Sequence, residues 1–89
     1  MIRIFAGTFQ QSKYLAERLR LKRSEWTYVS RSDVLQGLMP CNVLIYGTVQ
    51  NRKDFREVMD LIEIRRLRPI YVPEHGPIPE NVLKAIGRA

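Results

Sequence analysis

Two stretches of this chain set a glycine and a threonine side by side where an apolar run ends: Gly7-Thr8 and Gly47-Thr48. A glycine there lets the chain turn sharply and lets a ligand approach the backbone. The first amides of a following helix lack intrahelical partners and carry the positive end of the helix dipole. Together these features make the general anion site of open α/β folds. The chemistry on offer is binding of a phosphate or carboxylate, with Lys13, Arg31 and Lys53 as surrounding cations.

The two stretches belong to an internal repeat. Shifted by 40 positions, Gly7, Thr8, Gln10, Lys13 and Glu17 fall on Gly47, Thr48, Gln50, Lys53 and Glu57. Leu15 falls on Phe55, one apolar residue on another. A plainer reading stands beside the anion site. Thr8 with Gln11 fits a capping box, and Thr48 with Asn51 or Asp54 fits ordinary capping. Neither copy is a Walker loop or a G-x-G-x-x-G fingerprint, because each has one glycine. Lys13, Arg52 and Lys53 fall in or near first helical turns, where a cation opposes the dipole by roughly 0.3–1 kcal/mol. A bound anion would remove that penalty.

Other candidates are thinner. His75 is the only histidine and follows Glu74 in a proline-flanked loop, an arrangement that could serve acid–base chemistry. No nucleophile motif accompanies it, and no catalytic residue is assigned. Ser30-Arg31-Ser32-Asp33 follows the second strand, where Arg31 could meet an anion and Ser32 or Asp33 could cap a helix. Cys41 is the only cysteine, so a disulfide within the chain is excluded and the residue reads as a small buried hydrophobe. One Cys and one His cannot build a structural zinc site, and no metal or cofactor is expected. Arg20, Lys22 and Arg23 end the first helix, and Arg65, Arg66 and Arg68 end the third. Cations suit helix C-termini. They would also form a basic edge opposite the Gly-Thr loops, fit for an acidic partner or a nucleic-acid backbone. Trp26, Tyr28, Tyr46 and Tyr71 lie in strands and read as core.

The elements that must place these residues can be read from periodicity. Ile2–Ala6, Trp26–Val29, Asn42–Tyr46 and Ile70–Val72 read as strands. Gln11–Leu21 and Arg52–Leu67 carry helical spacing. A helix of one or two turns runs through Val34, Leu35 and Leu38 to Gly37 and Pro40, and a last one starts at Pro79 and runs through Ile86. The alternation β-α-β-α-β-α-β-α predicts a four-stranded parallel sheet with helices on both faces, most simply in the order 2-1-3-4. Strands 1 and 3 then flank the topological switch point, and both Gly-Thr loops open onto one crevice.

The run Ile4-Phe5-Ala6-Gly7-Thr8-Phe9 ahead of a helix resembles the opening strand and loop of minimal Rossmann-like domains, such as nucleoside deoxyribosyltransferases and related nucleotide-sensing families. That resemblance spans about the first fifteen residues and implies a nucleotide at the first loop. The downstream catalytic carboxylate of those enzymes has no recognisable counterpart here. In texture the chain also resembles small accessory proteins of bacteriophages.

At 89 residues the length fits a single α/β domain, and so small a core leaves room for stabilisation by a second copy in a homodimer. The N-terminal segment lacks a signal-peptide apolar region, no stretch suits a membrane span, and a cytoplasmic address is expected. A net charge of +6 favours an anionic partner. Three functions compete. The first is a non-catalytic accessory or protein-interaction factor that binds an acidic protein. The second is a module binding a nucleotide or other small phosphorylated ligand at the Gly-Thr loops. The third is a nucleotide-processing enzyme using Glu74 and His75. Nucleic acid is a further possible partner, less favoured because the aromatic residues read as core.

Overall fold

Apolar residues that alternate between two dry faces, rather than between core and water, require a sheet covered on both sides. In the computed structural model, which describes residues 1–35 and 41–88, that is the arrangement found. Strand β1 (Ile2–Ala6) is followed by helix α1 (Phe9–Arg18), β2 (Trp26–Tyr28), β3 (Asn42–Tyr46), α2 (Phe55–Ile64), β4 (Arg68–Tyr71) and α3 (Glu80–Ala85). The four strands are parallel and lie in the order β2-β1-β3-β4. This topology is compatible with a Rossmann-like fold.

Each central strand feeds both layers. Ile4 and Ala6 of β1, with Leu44 and Tyr46 of β3, meet Leu15 and Leu19 of the α1 segment and Val82 of α3. Phe5, Val43 and Ile45 point the other way and meet Leu35, with Val58 and Ile62 of α2. Burying one such side chain contributes about 1.5–3 kcal/mol, so both faces are needed to hold so short a chain together. Phe5 also stacks on Phe55, with ring centroids 6.3 Å apart.

The strand order and the two-sided covering agree with the sequence reading; several boundaries do not. Helix α1 begins at Phe9 rather than Gln11, and α2 begins at Phe55 rather than Arg52 and ends at Ile64. β4 begins at Arg68 and includes Pro69, so the proline lies inside an edge strand. The short second helix is a 3-10 turn, Ser32–Leu35. Leu38, expected within it, and Gly37 and Pro40, expected to end it, lie outside the described residues. Tyr71 is 63% exposed and is not core. Cys41 is half-buried against the α2 layer rather than enclosed.

Pro69 sits where a proline does least harm to its own sheet. Arg68 and Val72 donate their amides to Cys41 and Ile45 of the β3 side, each at 2.9 Å. The alternating positions Pro69 and Tyr71 therefore face away from β3. Pro69 has no N–H, so a further strand adding at this edge loses a ladder bond. A homodimer built by extending the sheet at β4 is disfavoured.

All three helices stop in the same way. At the end of α1 the Arg20 amide bonds Glu17 O and the Leu21 amide bonds Ala16 O. Arg66 and Leu67 repeat the pattern on Glu63 and Ile62, and Gly87 and Arg88 repeat it on Lys84 and Leu83. These are Schellman turns, which need a left-handed residue. Gly87 supplies it at φ 80° without strain, whereas Arg20 and Arg66 hold φ 55° and 58° despite their Cβ atoms.

Candidate functional site

The switch-point crevice brings the two Gly-Thr loops into contact, through one side chain. Thr8 is extended (φ −141°, ψ 162°) and caps α1 by accepting the Gln11 amide on its hydroxyl at 3.1 Å. The Gln11 side chain does not return to the cap, as a capping box would require. It crosses to the other loop, accepting the Thr48 amide on Oε1 at 3.1 Å and donating from Nε2 to Thr48 Oγ1 at 3.1 Å. The carboxamide lies over both glycines. A Cβ on Gly7 would crowd Gln11 Oε1 and Thr48, and a Cβ on Gly47 would meet the Gln11 carboxamide. Gly47 also holds φ 73°, so Gly47→Val would strain the fold and cannot test ligand binding alone. The place where an anion would meet the Thr48 amide is thus taken by the protein's own amide oxygen.

Arg52 closes the neighbouring part of the crevice. Its side chain is 10% exposed and lies before α2, so it does not oppose a helix dipole. Nη1 donates to Ala6 O and Val29 O at 2.9 and 2.8 Å, and Nη2 donates to Ser30 O at 2.8 Å. Nε and Nη2 form a two-point pair with Asp54, both at 2.8 Å. The guanidinium also lies over the rings of Phe5 (4.7 Å) and Tyr28 (5.6 Å). Its planar fork is saturated by carbonyls at the ends of β1 and β2 and by a carboxylate. No donor is left to face a ligand. Asp54, expected as a cap, makes no capping bond because its carboxylate holds Arg52.

The remaining residues proposed from sequence disperse. Lys13 is exposed on the α1 flank, in a groove with Phe9, Glu17, Arg23 and Trp26. Arg31 forms an exposed pair with Asp33 at 3.3 Å, worth little in water. Lys53 is exposed in the turn ahead of α2. Glu74 and His75 are exposed, and their backbone is held elsewhere. Arg18, unremarked in the sequence, donates to Pro73 O and Glu74 O at 3.3 Å and to Gly76 O at 2.7 Å. Arg18 is the last residue of α1, about 15 Å along the helix from the Thr8 cap. The loop carrying His75 is therefore clipped to the far end of α1 and not to the crevice. Glu57, the repeat partner of Glu17, accepts from Ser32 Oγ at 3.1 Å.

The basic residues lie largely as the alternation implied. Arg20 and Lys22 come after α1, and Arg65, Arg66 and Arg68 come after α2, at the edge opposite the loops. All five side chains are free of ion pairs and side-chain hydrogen bonds among the described residues. Arg66 and Arg68 share a cleft of about 240 Å³ with Cys41 and Asn42. Arg23 departs from the group. Its guanidinium lies over Trp26 at 4.3 Å and Phe9 at 5.8 Å and donates to Trp26 O at 2.9 Å.

Gln11 and Arg52, the residues that organise the crevice, were legible only as a capping residue and a misplaced cation. A trace was present. In the repeat Gln11 falls on Asn51, one methylene shorter, and Ser12 on Arg52. The mismatched positions, not the matched ones, carry the bridging contacts. No metal-binding cluster of His, Cys, Asp or Glu occurs among the described residues, and no helix there is long and apolar enough to cross a membrane. Compared with protein families, curated proteins and solved structures, the chain finds no match.

Proposed function

We propose that this chain is a non-catalytic interaction module whose α/β core is a scaffold, and that it docks an acidic protein through its basic edge. The observation that carries this reading is a contrast in how the charges are used. At the crevice Arg52 is saturated and the Thr48 amide is engaged by Gln11. At the opposite edge Arg20, Lys22, Arg65, Arg66 and Arg68 have no charged partner among the described residues, and two of them hold left-handed backbone that glycine would adopt more easily. Unpaired surface cations contribute little to stability, and they steer and orient an anionic partner. A small accessory protein, including one of phage type, would fit this economy of parts.

A thermal-shift panel of nucleotides and phosphorylated metabolites tests the reading against the nucleotide alternative. No member should raise the melting temperature, whereas polyglutamate should bind in a salt-dependent way. Stabilisation by a nucleotide that is weakened in the exposed variants Lys13→Glu and Lys53→Glu would replace this reading with the ligand-module one. Polyglutamate binding that is unchanged by reversing every charge at the basic edge would also sink it.

A further inference from the structure

We infer that the flank between α1 and β2 is the docking groove, and that it takes an acidic peptide segment bearing one large apolar side chain. This rests on the reading of the chain as a module for an acidic partner; it adds to the basic edge, which meets the body of that partner, a separate groove that selects one short segment of it.

The two basic clusters differ in what accompanies the charge. Beside Arg66 and Arg68 there is a small polar cleft with no aromatic anchor in its lining. Beside Lys22 and Arg23 there is a groove of about 300 Å³ whose floor is Phe9, Ala16, Leu21 and Trp26. Phe9 stacks on Trp26, with centroids 5.8 Å apart, and stays 40% exposed. Lys13 stands on the α1 wall with no partner among the described residues, and Arg23 stands on the β2 wall. Interfaces draw most of their affinity from aromatic and arginine anchors in such apolar settings, while isolated surface charges add little. An apolar side chain laid on Phe9 and Leu21 would place flanking carboxylates between Lys13 and Arg23.

The groove also separates a peptide from a nucleic acid. Glu17 lines it, where its carboxylate can accept a backbone N–H of an extended segment and holds the peptide's own carboxylates to the Lys13 and Arg23 sides. Arg23 already covers one face of Trp26, so that face cannot stack a base. Phe9 is then the one exposed ring in the groove, too little for the serial stacking that binds single strands.

Trp26 is the only tryptophan and lies in the groove, so its fluorescence reports occupancy. The test selects peptides from a random dodecapeptide library against the intact chain, then titrates the enriched peptides while Trp26 emission is recorded. Enrichment of acidic peptides with one aromatic or large aliphatic residue is expected, with a shift in Trp26 emission. Lys13→Glu should weaken them by about tenfold, and Phe9→Ala by at least as much. Lys13 is exposed and unpartnered, so its variant stays informative if Phe9→Ala unfolds. Reversal of Arg65, Arg66 and Arg68 should change these affinities by less than about twofold. Acidic peptides that leave Trp26 unchanged and are lost on reversing Arg65, Arg66 and Arg68 would overturn the groove and keep the acidic-partner reading. Failure to enrich acidic peptides would overturn both. Oligothymidylate that displaces the peptides from the groove more tightly than they bind would assign it to single-stranded nucleic acid instead.

Discussion

The first Gly-Thr loop turns into a helix at once; the second does not. Thr8 caps and Phe9 is already helical, whereas Thr48 makes no capping bond. After Thr48 the chain passes through a 3-10 turn, Val49–Asn51, and the extended residue Arg52 before α2 starts at Phe55. The matched residues specify a sharp turn in both places. The unmatched ones decide the path of the chain beyond each turn. Ser12 can stay inside α1, buried, with its hydroxyl donating to Phe9 O at 2.7 Å. Its counterpart Arg52 must leave the helical path to reach the carbonyls of Ala6, Val29 and Ser30. Likewise Gln11 reaches across to Thr48, and the shorter Asn51 returns no such bond. A repeat in sequence has become an asymmetric pair, in which one loop supplies the bridging side chain and the other receives it.

The largest test of this asymmetry is Arg52→Ala. It leaves Asp54 unpaired and three carbonyls unserved, and a loss of about 3–5 kcal/mol is expected in urea unfolding. Arg52→Lys should recover little, since an ammonium cannot reproduce the fork. A loss below about 1 kcal/mol would mean that the second loop does not depend on this residue.

Glycine replacement should come next. Gly7→Ala and Gly47→Ala should each cost about 1–3 kcal/mol. In a Gln11→Ala background the cost at Gly47 should fall, because the obstructing carboxamide is gone, and only the left-handed strain should remain. The cost at Gly7 should persist, since its Cβ also meets the Thr48 backbone at 2.9 Å. Equal relief at both glycines would break the proposed geometry.

Smaller effects separate cap from bridge. Thr8→Ala should cost about 1 kcal/mol as a lost N-cap. Gln11→Ala and Thr48→Ala should show a coupling of about 0.5–1.5 kcal/mol in a double-mutant cycle, as expected for a direct bond. Thr8→Ala and Thr48→Ala should be close to additive.

The helix ends set the lower bound. Unlike their starts, α1 and α2 finish alike, so Arg20→Gly and Arg66→Gly should each stabilise by about 0.5–1 kcal/mol. If the basic edge binds an acidic partner, the same changes should weaken that binding while raising the melting temperature.

Much of the frame was legible from residue pattern. Apolar runs stopped by glycine, helical spacing after them and the handedness of crossovers led to a parallel 2-1-3-4 sheet, and the meeting of strands 1 and 3 placed both loops in one crevice. Boundaries shifted where a side chain had a distant partner. Helix α2 starts late because Arg52 is drawn to β1 and β2, and Tyr71 escapes the core because it sits on an edge strand, on the face opposite the packed residues Ile70 and Val72. The placement of the loop carrying Glu74 and His75 was illegible for a related reason, since the reach of Arg18 to the Pro73–Gly76 carbonyls is a contact between segments far apart in the chain.

Local chemistry by itself determined which segments are strands and helices and where the backbone must turn, because those depend on neighbours within a few residues. Only the tertiary structure decided whether the crevice is open. Gln11 accepts its Thr48 amide and Arg52 donates to its carbonyls, each across 22 to 46 residues of chain. Nothing in their local context distinguishes a cap or a surface cation from a residue that fills the site, since the carbonyls and amides that claim them come together only when the sheet forms.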